Sequence, residues 1–310
     1  MQQLNLFGEL AEASGSQPGE PVCSVPVSET AADFGQLGLF SDRWLSATGA
    51  HAALERFELQ EATSALHSLL QRYPGDRSLM ERAAAIERLS GALAQARALG
   101  ASTASALARV SRAVPAFIEP FWRRRLALAI EAEAGPGGVV EGVPAGFHWL
   151  ALGQLSEAEN SLRNTLERDP RDARARAYLA DVLTLQGRQA PARAQYRDAF
   201  AQRPSLVDLE RLRDAAVQRL PALAECEFEV PGDGVEWVAA IGVMTGTFLA
   251  PDWAALRATS SADARSTGVE FYHWLGRELL ADSMPDRLAC RRAMRALASQ
   301  VFAQYMALKR

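Results

Sequence analysis

Few side chains in the 310-residue sequence stand at the spacings that a metal or catalytic site requires. The four histidines, His51, His67, His148 and His273, are scattered, and no His-x-x-x-His or His-Cys cluster occurs. His273 completes a Glu-x-x-His element with Glu270, but a di-iron bundle needs two such elements and two further glutamates on other helices. We therefore expect His273 to be a packed helix residue, and we expect the chain to hold no metal or other cofactor.

Nucleophile and nucleotide signatures are also missing from the sequence. Cys23, Cys226 and Cys290 share no motif spacing, which argues against a disulfide framework or a zinc knuckle. The glycine-rich nucleotide-binding motifs and the Gly-x-Ser-x-Gly of serine hydrolases do not occur. An enzyme would need a pocket of buried polar or titratable groups within residues 223–310. We expect a non-enzymatic protein.

Charge and hydropathy narrow the classes of partner. A net charge of −4 and a pI near 5.7 argue against direct binding of nucleic acid, because such binding usually needs a strongly basic face. The first residues lack the basic and apolar regions of a secretory signal. The longest apolar run, residues 238–250, is shorter than the roughly 20 residues of a membrane span. These features predict a cytoplasmic protein that makes no direct contact with nucleic acid or membrane.

One short motif occurs twice near the start of the chain. Residues 3–7 read Gln-Leu-Asn-Leu-Phe and residues 36–40 read Gln-Leu-Gly-Leu-Phe, so both copies are Q-L-x-L-F. The 28 residues between them are rich in Gly, Ser, Pro and Glu, a composition that predicts disorder because it offers little apolar surface to bury. Leu and Phe side chains in such a tail have no evident core to join. We therefore interpret both pentapeptides as linear binding motifs.

The pentapeptide resembles the motif by which bacterial DNA polymerases and repair factors dock on the sliding clamp. The resemblance covers only ten residues, and one copy alone would arise by chance on the order of once in a few hundred chains. In that family the glutamine sits over a small pocket and the Leu-Phe end enters a larger apolar pocket. The resemblance passes these roles to Gln3, Leu6 and Phe7 and to Gln36, Leu39 and Phe40, with Leu4 and Leu37 completing the partner-binding set.

The two copies allow two interpretations. The clamp is a ring of identical subunits, so both copies could dock at once across a linker with a root-mean-square span of roughly 30 Å, which would raise avidity. The alternative assigns both copies to the fold. Ser41 is a good helix N-cap with Phe40 as its hydrophobic staple, and the first copy would then fold back on the same helices.

The elements behind the tail follow a period of 34 residues. The period superimposes these residue pairs: Gly153 and Gly187, Ala158 and Ala192, Leu162 and Tyr196, Thr165 and Ala199, Pro170 and Pro204. Such a period is typical of a stacked helix pair, in which small alanines let antiparallel helices approach and proline ends the second helix. Residues 146–204 thus resemble a tetratricopeptide repeat, which implies a scaffold for binding other proteins.

The rest of the chain is predicted from periodicity alone. Residues 55–76 repeat the second-helix pattern, with Pro74 standing 96 residues before Pro170. Residues 225–230 alternate polar and apolar side chains, which predicts a short strand. Further helices are predicted at about 77–98, 101–113, 119–134, 205–220, 234–249, 262–281 and 285–308.

These observations predict an all-α fold, a tetratricopeptide-like superhelix with a mostly helical C-terminal extension. The expected domains are a tail (1–41), a repeat domain (42–222) and a C-terminal domain or cap (223–310). In such a superhelix the first helix of each pair lines the groove, which places Phe147, Leu150, Arg174, Asp181 and Thr184 there.

The expected function is an adaptor whose tail docks the DNA sliding clamp while its repeats bind another protein. The alternative is a scaffold or chaperone subunit of a bacterial secretion or assembly system.

Overall fold

The computed structural model describes residues 48–259 and 266–309. Within these ranges the chain is helical apart from turns, loops and one short β-hairpin, so the predicted all-α class is confirmed. The chain divides into two compact units, Met1–Arg125 and Leu126–Arg310. None of the helices in the described ranges combines the length and apolar character that a membrane crossing requires.

The described part of the first unit is built on four helices and the start of a fifth. Their bounds are 48–55 (α1), Leu59–Arg72 (α2), Arg77–Ala98 (α3), Thr103–Val110 (α4) and Glu119–Ala134 (α5, which continues into the second unit). Leu54, Ile86 and Leu107 are fully buried between them. The indole of Trp122 donates a hydrogen bond to Ser111 Oγ at 3.3 Å. The helices predicted at 77–98 and 119–134 are confirmed, whereas the one predicted near 101–113 ends at Val110 in a 3₁₀ turn.

After the end of α5, the described residues of the second unit form a hairpin, two helix pairs and seven further helices. The bounds are Val139–Val140 (β1), Val143–Pro144 (β2), Ala145–Ala151 (α6), Leu155–Arg168 (α7), Ala173–Leu185 (α8), Gln189–Gln202 (α9), Ala215–Gln218 (α10), Leu220–Cys226 (α11), Val238–Met244 (α12), Trp253–Ala258 (α13), Thr267–Leu280 (α14), Met284–Leu297 (α15) and Ser299–Leu308 (α16). The hairpin strands are antiparallel, with Val140 opposite Val143.

The same type of turn joins the two helices within each of three pairs, α1–α2, α6–α7 and α8–α9. At Phe57, Gly153 and Gly187 the amide donates to the carbonyl three residues earlier, and the next amide donates to the carbonyl five residues before it. All three residues have left-handed backbones, with φ of 61°, 71° and 79°. This geometry closes a helix C-terminus and favours glycine, because a side chain there is strained. The turn therefore recurs at the 34-residue and 96-residue offsets read from the sequence.

Close approach of two helices is visible at Gly146 on α6. A Cβ at this position would lie 2.5 Å from Leu162 Cγ on α7, so any side chain would force the two helices apart. The buried Leu162 and Ala158 occupy this contact from the α7 side. Glycine thus sets the spacing of the pair α6–α7.

The helix predicted at 205–220 does not form, and this prediction is wrong. Asp76 and Asp172 cap the helices that follow them by accepting from the amides of Leu79 and Ala175, at 3.1 and 2.9 Å. Leu206 stands 34 residues after Asp172 and offers no such acceptor. The chain instead makes two 3₁₀ turns, Pro204–Leu206 and Leu209–Arg211, before the short helix α10.

The strand predicted at 225–230 is also wrong. The amides of Phe228 and Val230 donate to the carbonyls of Leu223 and Ala224, at 3.3 and 3.2 Å, which folds the backbone onto α11. Phe228 is buried, so its burial does not require a sheet. The alternation of polar and apolar residues reflects one buried aromatic side chain rather than a pleated strand.

The other C-terminal predictions hold only in part. The helix predicted at 234–249 is a 3₁₀ turn (Gly234–Trp237) followed by α12, which ends where Phe248 turns back to donate to the Gly242 carbonyl. The helix predicted at 285–308 is split at Ala298, whose φ of −153° is incompatible with a helix. Helix α13 was not predicted.

The C-terminal helices share one core with the helix pair α8–α9. Tyr196 and Phe200 of α9 are fully buried in the same apolar cluster as Trp237, Phe271 and Met294. The cluster therefore includes residues on both sides of position 222, where a domain boundary was predicted. The described C-terminal helices therefore pack against α9 through this shared cluster.

Candidate functional site

The two pentapeptides, with Gln3, Leu4, Leu6, Phe7, Gln36, Leu37, Leu39 and Phe40, lie outside the residues that the structure describes. The five residues predicted to line the repeat groove are all described. Phe147 and Leu150 lie on α6, and Arg174, Asp181 and Thr184 lie on α8. The face of α6 and α8 that these residues share is called the inner face below.

The inner face brings an aromatic pair together. The rings of Phe147 and Tyr178 lie 4.8 Å apart with their planes tilted by 34°. Arg174 donates to the carbonyl of Gly142 in the hairpin at 2.8 Å, and Thr184 donates to the Ala180 carbonyl of its own helix at 2.9 Å. These two polar side chains are therefore engaged within the fold.

Asp181 is buried and accepts hydrogen bonds from two other parts of the fold. Its Oδ1 accepts from the hydroxyl of Tyr196 on α9 and from the amide of Arg213, the latter at 2.9 Å. Burial raises the pKa of Asp181 to about 7, and the two hydrogen bonds offset part of that effect. Asp181 thus ties α8, α9 and the segment after α9 together.

That segment, residues 208–213, is called the strap. Besides the amide of Arg213 on Asp181, the guanidinium of Arg211 lies 5.0 Å from the centre of the Phe147 ring. Arg211 also pairs with Asp208 at 2.9 Å, and both side chains are 40–50 % exposed. The strap therefore crosses the inner face and contacts both α6 and α8 through their predicted groove residues.

A second buried polar cluster surrounds Glu278 on α14. Its side chain is 1 % exposed and accepts from Arg291 of α15 at 2.8 Å, from the Tyr305 hydroxyl of α16 at 2.6 Å, and from Lys309 at 2.7 Å. Burial alone would raise the pKa of Glu278, but the bonds from Lys309, Tyr305 and Arg291 outweigh it and lower the pKa. Both carboxylate oxygens are engaged, so the cluster ties three helices and leaves no acceptor exposed for a substrate.

A third cluster joins α9 to the loop before α13. Arg197 is buried and donates to the carbonyls of Leu249 and Ala250, at 3.0 and 3.3 Å, while it pairs with Asp198 at 2.8 Å. Burial raises the pKa of Asp198 despite its arginine neighbours. Sequence reasoning missed the Glu278 and Arg197 clusters. For the Glu278 cluster the one available signal in the sequence was Lys309, because it is the only lysine of the chain.

The described residues contain no group of three or more His, Cys, Asp or Glu side chains that could hold a metal ion. Comparisons with protein-family models, with curated proteins and with solved structures found no match to this chain. Its function is therefore inferred from its own residues and contacts.

Proposed function

We propose that the chain is a non-enzymatic adaptor that docks on the bacterial DNA sliding clamp through its N-terminal segment and holds another protein on its helix pairs. The observation that carries this proposal is the doubled pentapeptide Q-L-x-L-F at residues 3–7 and 36–40. A second independent copy on the same short segment is far rarer by chance than a single copy. The proposal therefore rests on the repetition of the motif.

Each copy combines two large apolar anchors with one amide. Burying a Leu or Phe side chain contributes about 1.5–3 kcal/mol, and the glutamine amide adds hydrogen bonds at the pocket rim. Such a short peptide also loses conformational freedom on binding, so one copy alone supports only weak docking. Two copies on one chain would dock on one ring with a higher effective concentration.

The described helices supply the body that this segment would carry. We infer that α6–α7 and α8–α9 are tetratricopeptide-type pairs, because they share the 34-residue period, the left-handed glycine turn and the buried Ala158 and Ala192 at equivalent positions. Helix pairs of this kind stack on their neighbours and present a continuous surface to other proteins. This inference supports the role of scaffold and does not identify the partner.

The experiment is a titration of purified clamp with the full-length chain. Changing Leu6, Phe7, Leu39 and Phe40 together to alanine should abolish binding, because both sets of apolar anchors are removed. Leu10 and Phe34 provide a matched control, since they are the same residue types within the same segment but outside both motifs. The variant with Leu10→Ala and Phe34→Ala should bind like the wild type. Equal binding by the motif variant would contradict the proposal and favour the scaffold role without a clamp.

A further inference from the structure

The strap contacts the inner face at equivalent positions of two helix pairs. Phe147 on α6 and Asp181 on α8 stand 34 residues apart and so occupy the same position of the repeat. Arg211 of the strap lies over Phe147, and the amide of Arg213 bonds to Asp181. A segment that engages the same position on consecutive pairs makes the contacts expected of a bound peptide.

The strap is held firmly at its ends and more loosely between them. Val207 before it is buried, and Asp214 after it pairs with Arg193 at 2.8 Å and caps α10. Within the strap Leu212 is buried, whereas Arg211 is half exposed. Its polar contacts with the inner face are the cation–π contact of Arg211 and the hydrogen bond from the Arg213 amide to Asp181, while Leu212 belongs to the apolar cluster that also holds Ala177 and Ala180 of α8. Opening of the strap therefore withdraws one buried leucine and two polar contacts, which is a local event that does not require unfolding of the whole unit.

We propose that the inner face of α6 and α8 is a docking surface for an extended, arginine-bearing segment of a partner protein, and that the strap occupies this surface in the free protein. The Phe147 ring, which lies against Tyr178, receives a guanidinium on its face, and Asp181 accepts a backbone amide two residues further along. An incoming segment replaces the strap at both points. The inference deepens the proposed role of the helix pairs in holding another protein and rests on it.

The test uses a labelled synthetic peptide with the strap's own sequence, residues 206–214 (LVDLERLRD), added to the full-length chain. Arg211→Ala removes the cation–π contact and loosens the strap, so this variant should bind the peptide at least tenfold more tightly than the wild type in fluorescence anisotropy. Adding Phe147→Leu to Arg211→Ala keeps an apolar side chain but removes the ring, and it should reverse the gain. Arg219→Ala, an exposed arginine outside the strap, should bind like the wild type.

The chemistry of the occupant is tested with a second peptide. A peptide with glutamate in place of the residue that corresponds to Arg211 should not bind the Arg211→Ala chain. Equal binding of both peptides would overturn the arginine specificity, and binding of neither would overturn the docking surface.

Hydrogen exchange of the wild type provides a measurement that needs no variant. The Arg213 amide should exchange through local opening, with a weaker dependence on denaturant than the amides of α8. Exchange of Arg213 only through global unfolding would show that the strap never leaves the face and would overturn the inference. Clamp binding should be the same for wild type and Arg211→Ala, so failure of the clamp proposal is distinguishable from failure of this one.

Discussion

At the scale of single residues, Asp181 is a carboxyl that folding makes harder to ionise. The hydroxyl of Tyr196 and the amide of Arg213 donate to it, and Asp208 adds a like charge nearby. Burial raises its pKa to about 7, from about 3.9 in an unfolded chain. The folded state therefore holds a proton that the unfolded state has lost between these values. Its contribution to stability is greatest at low pH and declines as pH rises through that window.

The substitution Asp181→Asn should remove this pH dependence. Asparagine keeps an oxygen that accepts both hydrogen bonds and carries no charge to bury. One pKa unit corresponds to about 1.4 kcal/mol, so the variant should be roughly 2–4 kcal/mol more stable than the wild type at pH 8 and similar to it at pH 4. Urea unfolding at both pH values measures this difference. The exposed Asp282→Asn is the matched control, and a variant less stable than the wild type at pH 8 would refute the account of Asp181.

The pKa of Glu278 is shifted in the opposite direction from that of Asp181, because two of its hydrogen-bond partners, Lys309 and Arg291, are cationic. Glu278→Gln would leave Arg291 and Lys309 without their carboxylate, and breaking a buried network of this kind should cost about 2–4 kcal/mol at pH 7. The measurement is chemical denaturation, with Glu270→Gln on the same helix as the control. Because the pKa of Glu278 is lowered, its stabilisation is present above its unfolded pKa and is lost as pH falls through the folded value. A difference of less than about 0.5 kcal/mol between the two variants would contradict this role.

At the scale of elements, the shared turn predicts opposite effects for two glycines. A Cβ at Gly187 or at Gly91 would meet no atom within 4 Å, so neither substitution causes a clash. Gly187 has a φ of 79°, where alanine is strained, and Gly187→Ala should destabilise the chain by about 1–2 kcal/mol. Gly91 lies within α3, and Gly91→Ala should stabilise it by about 0.5–1 kcal/mol. Thermal unfolding measures both, and equal shifts would disprove the turn geometry.

The sequence predicts elements well where a local signal repeats. The 34-residue period located α8 and α9. The N-caps Asp76 and Asp172 mark where two helices begin, which the spacing of apolar residues alone leaves uncertain. The helix predicted at 205–220 does not form where Leu206 replaces the capping aspartate of the earlier repeat. The strand predicted at 225–230 does not form because the alternation of polar and apolar residues there reflects one buried aromatic side chain, Phe228. Such failures arise because a capping bond or a backbone fold-back depends on one or two atoms rather than on average hydropathy.

The candidate site was less predictable than the fold. Helical spacing placed Phe147 and Asp181 on one inner face, but the burial of Asp181 depends on the strap, whose amide at Arg213 reaches it from 32 residues away. The partners of Glu278 likewise lie 13 to 31 residues further along the chain. Contacts at these separations follow from tertiary packing, which the spacing of residue types does not encode.

At the scale of the whole molecule, the proposed adaptor combines the described helices, as its scaffold, with an N-terminal segment that carries both copies of the Q-L-x-L-F motif. The C-terminal helices cover the end of α8–α9, so the helix pairs need no further repeat after α9 to bury their apolar side chains. The inner face carries the strap. The proposed adaptor thus has separate elements for its two partners, and each partner can be tested without the other.

The most direct measurement is a calorimetric titration of the clamp with four forms of the full-length chain. These are the wild type, Leu6→Ala with Phe7→Ala, Leu39→Ala with Phe40→Ala, and all four changes together. Each single-copy variant should bind at least tenfold more weakly than the wild type, since avidity is lost, and the combined variant should show no binding. Undiminished affinity of the combined variant would contradict the central claim.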